Sequence, residues 1–218
     1  MISLVLVDAE IERLPLFVQE SEKARTNGAD DEDLQGIIVL DRALHRYLVE
    51  GLEDAGRRGR PDIVHSFLLL TQGSKAIRQG KLSTYIHIRS DEVVFVGNRY
   101  RPEHQYIPFL RTFSELLENG NVGKGGRGLR LERSMDLKSL LRRLVPDKIV
   151  ALTPTGEKRD LAQVLRPSIE GHLAVLVGGF PEGDYHSPVY EMADERISLG
   201  DELLTVPDVT SRVLASIP

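Results

Sequence analysis

The chain of 218 residues contains no cysteine, which excludes disulfide bonds, thiolate metal ligands and cysteine nucleophiles. Long apolar runs are also lacking. The longest, such as Phe67 to Leu70 and Leu173 to Val177, fall far short of the roughly 18 residues that a membrane span needs. No basic leader precedes the apolar segment Met1 to Val7, which argues against a signal peptide. We therefore expect a soluble, globular, cytoplasmic protein with no membrane partner.

Charged residues are plentiful but unevenly distributed. They make up 28% of the chain beside 41% hydrophobic residues, and the formal net charge is −5. Acidic residues concentrate in Asp30 to Asp33 and between Glu182 and Glu202, whereas Lys124 to Arg143 contains seven basic and two acidic residues. A local basic stripe can bind a polyanion whatever the net charge. The alternative is an ordinary solvated face.

Hydrophobic periodicity predicts alternating strands and helices. The predicted strands are Met1–Asp8, Tyr85–Arg89, Val93–Val96, Lys148–Leu152, His172–Val177 and Arg196–Leu199. The predicted helices are Ile11–Lys23 (regular from Pro15), Asp41–Leu52, Ile63–Gln79, Tyr106–Leu117, Asp136–Leu144, Asp160–Leu165 and Asp208–Ile217. The four glycines of Asn121 to Gly128 predict a mobile loop. This order predicts an α/β fold with a largely parallel sheet, in one domain because no linker divides the chain.

Three loops follow consecutive predicted strands near the C-terminus: Thr153 to Gly156, Gly178 to Gly183, and Leu199 to Val206. Ligands of open α/β sheets bind beyond the carboxyl ends of the strands. The glycines of the second loop let a flat ligand approach the backbone, although an ordinary tight turn explains them equally well. The dinucleotide fingerprint is absent there, and Gly123-Lys124-Gly125 lacks the Ser or Thr of a P-loop.

The segment Arg57-Arg58-Gly59-Arg60-Pro61-Asp62 is more specific. An arginine beside a carboxylate at a helix start can anchor a phosphate or a planar base, while the aspartate accepts a hydrogen bond or a proton. Alternatively, Asp62 caps the helix and pairs with Arg60. The six histidines are scattered without ligand spacing, so we expect no metal site.

The segment Arg58-Gly59-Arg60-Pro61-Asp62-Ile63-Val64-His65 closely resembles a signature of the SPOUT-class family that methylates N1 of a pseudouridine in small-subunit ribosomal RNA. This is the archaeal and eukaryotic ribosome-biogenesis family. Further segments resemble it in the same order: Tyr85 to Ile88, Tyr106 to Leu117, Leu152 to Gly156, Val177 to Gly183, Ile197 to Leu199, and Leu203-Leu204. The resemblance covers most of residues 57–210.

The resemblance implies a SPOUT fold with a mostly parallel sheet, in one domain of residues 1–218. Residues 148–218 would form the cofactor-binding part and its trefoil knot, an exception to the rule that chains are not knotted. Additions specific to the family would lie in the N-terminal half and in a basic extension around residues 120–135. The implied cofactor is S-adenosylmethionine, and the implied assembly is a homodimer. The implied substrate is a pseudouridine-containing loop of small-subunit ribosomal RNA, with ribosomal proteins or assembly factors as further candidate partners.

The family motifs assign roles to residues by position. The implied catalytic residues are Asp62 and Arg60. The implied cofactor-binding residues are Thr153, Gly178, Gly179, Gly183, Ile197, Leu199 and Leu204. The candidate RNA-binding residues are Arg57, Arg58, Arg60, Arg99, Arg101, Arg111, Lys124 and Arg127. No metal is required.

The sequence departs from the family where several arginines usually lead into the helix at Tyr106. Arg101 matches the first of them, but His104 and Pro108 occupy the other two places. Arg99, Arg111 and the Lys124 to Arg133 stripe are the candidates to replace their contacts with RNA.

The predicted function is methylation of N1 of a pseudouridine in ribosomal RNA, with S-adenosylmethionine as the methyl donor. Asp62 would either accept the N1 proton or only position the base by a hydrogen bond. The second role is open because a carboxylate is a weak base at neutral pH. One alternative is a non-catalytic RNA-binding ribosome-assembly factor of the same fold, which would not need the three cofactor loops. A second alternative is a nucleotide-binding metabolic enzyme. It would explain the glycine-rich loops but not the segment Arg57 to Asp62.

Overall fold

A computed structural model describes residues 1–15, 34 and 36–218. The strands are β1 (Ile2–Ala9), β2 (Leu82–Ile88), β3 (Glu92–Val96), β4 (Asn121–Val122), β5 (Leu129–Glu132), β6 (Lys148–Lys158), β7 (Leu173–Gly178) and β8 (Glu195–Ser198). They form one sheet in the order β4-β5-β3-β2-β1-β7-β6-β8. The pairs β2–β1, β1–β7, β7–β6 and β6–β8 are parallel. On the other side of β2, the strands β3, β5 and β4 pair antiparallel. The expected α/β fold with a mostly parallel sheet is confirmed.

The helices of the described part are α1 (Arg46–Glu50), α2 (Pro61–Gly73), α3 (Lys75–Arg78), α4 (Tyr106–Asn119), α5 (Leu137–Leu144), α6 (Leu161–Leu165), α7 (Val189–Met192) and α8 (Val206–Ser216). Local sequence explains several of their ends. Pro61 occupies the first turn of α2, where its missing N–H has no cost. Asp136 caps α5 by accepting a hydrogen bond from the N–H of Ser139. Gly120 ends α4 in the left-handed conformation.

The core lies on both faces of the sheet, as parallel strands require. Every residue of β1 is buried. On one face, Leu4 and Leu6 belong to the same hydrophobic cluster as Phe67 of α2 and Val213 of α8. On the other face, Val5 and Val7 belong to a cluster with the buried leucines of α5. Because β1 lies between β2 and β7, its carboxyl end is fixed beside theirs at one edge of the sheet.

Several predicted elements need correction. The predicted turn Thr153 to Gly156 lies inside β6, where the pairing with β8 shifts register between Leu152 and Glu157. The predicted mobile loop Asn121 to Gly128 contains β4 and a short 3-10 turn, Gly125–Arg127. The predicted helix Asp41–Leu52 is helical only over Arg46–Glu50.

One more helix prediction needs correction. The predicted helix Ile63–Gln79 is interrupted at Ser74, which has extended backbone and caps α3. In the segment Ile11–Lys23, where the regular helix is predicted to begin at Pro15, Arg13 precedes that start and forms an antiparallel bridge with Val39. Residues 16–23 of that prediction lie outside the described residues.

Candidate active site

A cleft opens at the carboxyl ends of β6, β7 and β8. It holds about 790 Å³ of empty space, part of it open to solvent, which suits a small ligand. Three segments line it: the Leu152 to Pro154 part of β6, the loop after β7 as far as Tyr185, and the loop from Ser198 to Val206. The sequence places these segments together because the carboxyl ends of parallel strands share one edge of the sheet.

Five of the seven predicted cofactor-binding residues line this cleft, namely Thr153, Gly178, Gly183, Leu199 and Leu204. The other two lie behind its wall. Ile197 is buried in the core. Gly179 packs against the end of β1, where a Cβ atom would lie 2.8 Å from the Cα of Ala9. Both therefore shape the cleft through the backbone and do not line it.

Tyrosine side chains that the sequence analysis missed hold the cleft segments together. The hydroxyl of Tyr185 donates a 2.8 Å hydrogen bond to the carbonyl of Leu152. The hydroxyl of Tyr190 donates to the carboxylate of Asp184 at 2.6 Å and lies 2.9 Å from the Thr153 hydroxyl. Burial raises the pKa of Tyr185 and of Tyr190, so both phenols stay protonated and can donate. Tyrosines just after a glycine-rich loop were the available signal.

The two residues predicted to be catalytic, Arg60 and Asp62, pair with each other at the start of α2, as the alternative reading of this segment predicts. Arg60 donates two parallel hydrogen bonds to the carboxylate of Asp62, from Nε at 2.8 Å and from Nη2 at 2.7 Å. Both side chains are partly exposed. Arg60 Nη1 makes no hydrogen bond with any described residue, so the pair presents a free donor beside a carboxylate. Nearby, the hydroxyl of Tyr106 donates to the buried carboxylate of Asp41.

Arg57 and Arg58 lie differently from the sequence-based expectation that both contact RNA. Arg57 is only 8% exposed, and its Nε donates to the carboxylate of Glu10 at 2.9 Å. Its Nη1 donates to the carbonyl of Asp184 at 2.6 Å. Arg58 pairs with both carboxylate oxygens of Glu12. Both guanidinium groups are engaged within the protein, so Arg57 is buried instead of presented to solvent and Arg58 is part of an ion pair.

The carboxyl end of β1 carries two buried carboxylates that the sequence analysis did not single out. Asp8 accepts hydrogen bonds from the N–H groups of His186 and Ser187 and from the Ser187 hydroxyl. Burial alone would raise the pKa of Asp8, but hydrogen bonds from His87 and Ser187 outweigh it and lower the pKa to about 2. Burial raises the pKa of Glu10, against the opposing effect of Arg89 and Arg57.

The remaining candidate RNA-binding residues, Arg99, Arg101, Arg111, Lys124 and Arg127, are all exposed. Close backbone packing brings three of them to one place, because the N–H of Arg99 donates to the carbonyl of Gly126 at 2.6 Å. Lys124 and Arg127 flank that glycine. None of the three side chains forms an ion pair with another described residue. We call Arg99, Lys124 and Arg127 the basic rim.

Three other arginines of the predicted stripe are already engaged within the protein. Arg130 and Arg143 both lie over the ring of Phe95, at 4.4 and 4.8 Å from its centroid, and both pair with Glu132. Arg133 donates to the carbonyl of Leu117 near the end of α4. The stripe is therefore partly neutralised, whereas Lys124 and Arg127 of the basic rim stay exposed.

Two absences hold for the described part of the chain. No cluster of three or more His, Asp or Glu side chains there is arranged to hold a metal ion. No helix in it is long and apolar enough to cross a membrane.

A ligand cleft at the carboxyl edge of a mostly parallel sheet places the protein among the α/β proteins that bind a small molecule there. The model of the family described as EMG1/NEP1 methyltransferase matches residues 4–217. The chain therefore belongs to the EMG1/NEP1 methyltransferase family.

Similar proteins agree with this assignment. The chain is 31% identical to a protein of Methanothrix thermoacetophila over 99% of its own length and 95% of that protein's length. It is 34% identical to one of Pyrobaculum neutrophilum, over 98% and 96% of the two chains. Both carry the name ribosomal RNA small subunit methyltransferase Nep1. A crystal structure of Archaeoglobus fulgidus Nep1 bound to S-adenosylhomocysteine matches with a TM-score of 0.79 and 26% identity, over 98% and 95% of the chains.

Proposed function

We propose that this protein transfers the methyl group of S-adenosylmethionine to N1 of a pseudouridine in small-subunit ribosomal RNA, in the cytoplasm and during ribosome biogenesis. The observation that carries the proposal is the cleft at the ends of β6, β7 and β8 in a chain of a methyltransferase family. The relatives' names support ribosomal RNA as the substrate.

The cleft fits the cofactor in its chemistry. Apolar side chains of Leu152, Val177, Leu199 and Leu204 line it, which suits the flat adenine ring. Gly183 has a φ of +83°, so the loop takes a backbone turn that few other residues allow. S-adenosylmethionine supplies an activated methyl group when bound. The protein's task is to orient the target nitrogen toward that group and to receive its proton.

The Arg60–Asp62 pair suits the edge of pseudouridine that is methylated. That edge presents the N1–H donor beside the C2 carbonyl acceptor. Asp62 would accept the hydrogen bond from N1–H, and Arg60 would donate from its free Nη1 to the carbonyl oxygen. Uridine presents a C–H group in place of N1–H, so the same pair would leave the carboxylate without a donor. Asp62 is the group to which the N1 proton passes as the N–C bond forms.

Transfer of labelled methyl groups from S-adenosylmethionine to a small-subunit ribosomal RNA hairpin tests this function. Two hairpins are compared, with pseudouridine or uridine at the loop position. Transfer to the pseudouridine hairpin alone supports the proposal. Binding of both cofactor and hairpin without transfer favours the assembly-factor alternative. Failure to bind S-adenosylmethionine contradicts the proposal outright.

The substitution Asp62→Asn tests whether the Asp62 carboxylate takes part in methyl transfer. We expect at least a hundredfold loss of methyl transfer, because general-base catalysis contributes about 10² or more. Binding of S-adenosylhomocysteine stays unchanged, since Asp62 does not line the cleft. Asp62→Asn activity close to that of the wild type would remove this residue from the mechanism. A flat pH–rate profile in the wild type would leave Asp62 a positioning role only.

We also propose the assembly and topology implied by the family. The protein would act as a homodimer, with residues 148–218 forming a knotted cofactor-binding part of a single domain. The basic rim, with Arg101 and Arg111, would contact RNA phosphates. Family membership supports these proposals, as does the exposure of the five basic residues. Light scattering of the purified protein tests the dimer, because a monomeric mass at micromolar concentration would exclude it.

A further inference from the structure

Arg57 lies between the two parts of the candidate active site. It belongs to the segment that leads to Arg60 and Asp62, yet its guanidinium points to the loop after β7. Its Nη1 donates to the carbonyl of Asp184 at 2.6 Å, and its central carbon lies 4.1 Å from the centroid of the Phe180 ring. Both loop residues line the cleft. One buried side chain therefore joins the cofactor loop to the target-binding segment.

Glu10 extends this connection through its own backbone. Its N–H donates to the carbonyl of Gly179 at 3.2 Å, and its carbonyl accepts from the N–H of Arg60 at 2.9 Å. Its side chain accepts from Arg57 Nε at 2.9 Å. A continuous chain of hydrogen bonds thus runs from the cofactor loop through Glu10 to Arg60, with Arg57 as a second path beside it.

The segment before Arg57 also contacts the cofactor loop. A Cβ atom on Gly56 would lie 1.9 Å from Oε1 of Glu182, so the side chain of this loop residue lies against the segment. Gly59 has a φ of +65°, and its carbonyl accepts from the N–H of Arg42 at 2.9 Å. The segment is therefore held at Gly59 and touches the cofactor loop at Gly56.

One guanidinium nitrogen has hydrogen-bonding capacity left. Arg57 Nη2 is buried and has no partner among the described residues. A buried donor without a partner is unfavourable, so a loop position that brings an acceptor to it is preferred. The Arg57 contacts are thus not saturated in this structure, and a change in the loop can alter them.

On the basis of the proposed function, we propose that Arg57 is a positioning residue that couples the two sites, so that cofactor bound in the cleft strengthens RNA binding at Arg60 and Asp62. Thermodynamic linkage requires the reverse effect to be of equal size. Arg57 would act through the loop and the segment and would touch neither the methyl group nor the target base.

Calorimetric titration measures this coupling. Affinity for the pseudouridine hairpin is measured with and without saturating S-adenosylhomocysteine, in the wild type, in Arg57→Gln and in the control Arg46→Gln. Arg46 lies on the surface in an exposed pair with Glu50. We expect the cofactor product to tighten RNA binding about tenfold in the wild type and the control, and less than twofold in Arg57→Gln. Hairpin affinity without cofactor product should change less than threefold.

The outcomes separate this inference from the proposed function. Equal coupling in the wild type and Arg57→Gln overturns the inference, as does a wild type that binds both ligands without coupling. A wild type that binds neither ligand overturns the proposed function instead. If Arg57→Gln does not fold, Phe180→Leu removes the ring contact and leaves the ion pair intact. The coupling factor is the ratio of hairpin affinities with and without S-adenosylhomocysteine. A factor in Phe180→Leu below half of the wild-type factor supports the inference, and a factor equal to that of the wild type overturns it.

Discussion

The carboxylate of Asp8, at the end of the first strand, accepts a 2.6 Å hydrogen bond from the hydroxyl of Ser187, which lies 179 residues further along the chain. Two backbone N–H groups of the same segment donate to the other carboxylate oxygen. Asp8 thereby ties β1 to the segment that follows the cleft loop. A buried, fully hydrogen-bonded carboxylate of this kind makes stability depend on pH.

We predict that Asp8→Asn lowers the free energy of unfolding at pH 7 and that the loss shrinks in acid. The pKa of Asp8 falls from 3.8 to about 2 on folding, which corresponds to roughly 2 kcal/mol. Because the folded pKa is the lower one, this stabilisation is complete above about pH 4 and is lost as the pH falls towards 2. Asparagine tolerates the backbone of this position, where φ is +53°.

Urea denaturation of the wild type and of Asp8→Asn between pH 7 and pH 2.5 measures the difference. The control is Glu50→Gln, whose side chain is 51% exposed and pairs with Arg46 on the surface. Such an exposed pair contributes little to stability because water screens it. A difference between wild type and Asp8→Asn that stays constant over this pH range would show that the ionised carboxylate does not supply the stability.

A second prediction concerns Gly179, which packs against the end of β1. A Cβ atom there would lie 2.8 Å from the Cα of Ala9 and 3.0 Å from the Cγ of Leu6. Backbone hydrogen bonds on both sides hold the glycine in place. Gly179→Ala therefore has to move the cofactor loop, at a cost of about 1–3 kcal/mol in stability. We expect the affinity for S-adenosylhomocysteine to fall at least tenfold.

The matched control is Gly73→Ala, because no heavy atom lies within 4 Å of a Cβ atom at that position. It should keep the wild-type affinity and stability. Calorimetric titration with S-adenosylhomocysteine measures both variants. Wild-type affinity in Gly179→Ala would mean that the loop can shift without disturbing the cleft, and the role given to Gly179 in shaping the cleft would be wrong.

Sequence patterns predict the strands that frame the cleft because their signals are local. The apolar runs of β1 and β7 and the glycines after β7 are visible without tertiary information. The turn predicted at Thr153 to Gly156 was wrong because Pro154 and Gly156 are typical of turns. In the structure, Gly156 instead permits close approach to β8, since a Cβ atom there would lie 2.6 Å from the backbone nitrogen of Ile197.

The position of Arg57 could not be predicted, because its partners are distant in sequence. An arginine next to Arg58 and Arg60 is typical of a surface contact with phosphate. Its burial depends on Glu10 and Phe180, which come close only when β1 and β7 pair. The pairing of Arg60 with Asp62 needed no such information, since the two residues are only two positions apart in the sequence.

The third prediction concerns the basic rim and the salt dependence of RNA binding. Arg99, Lys124 and Arg127 are exposed and form no ion pair with another described residue. If each contacts one phosphate of the hairpin, the triple substitution to glutamine reduces the slope of log affinity against log salt concentration by about 2, since each contact contributes about 0.7 with single-stranded RNA. Fluorescence anisotropy between 50 and 300 mM salt measures the slope.

Arg143→Gln is the matched control, because it removes an arginine from the same stripe. Arg143 is already engaged by Glu132 and by the ring of Phe95. A paired guanidinium releases few counterions when RNA binds, so the slope of this variant should equal that of the wild type. A change of equal size per charge in both variants would mean that the slope reports overall charge, and the basic rim would then have no special part in RNA binding.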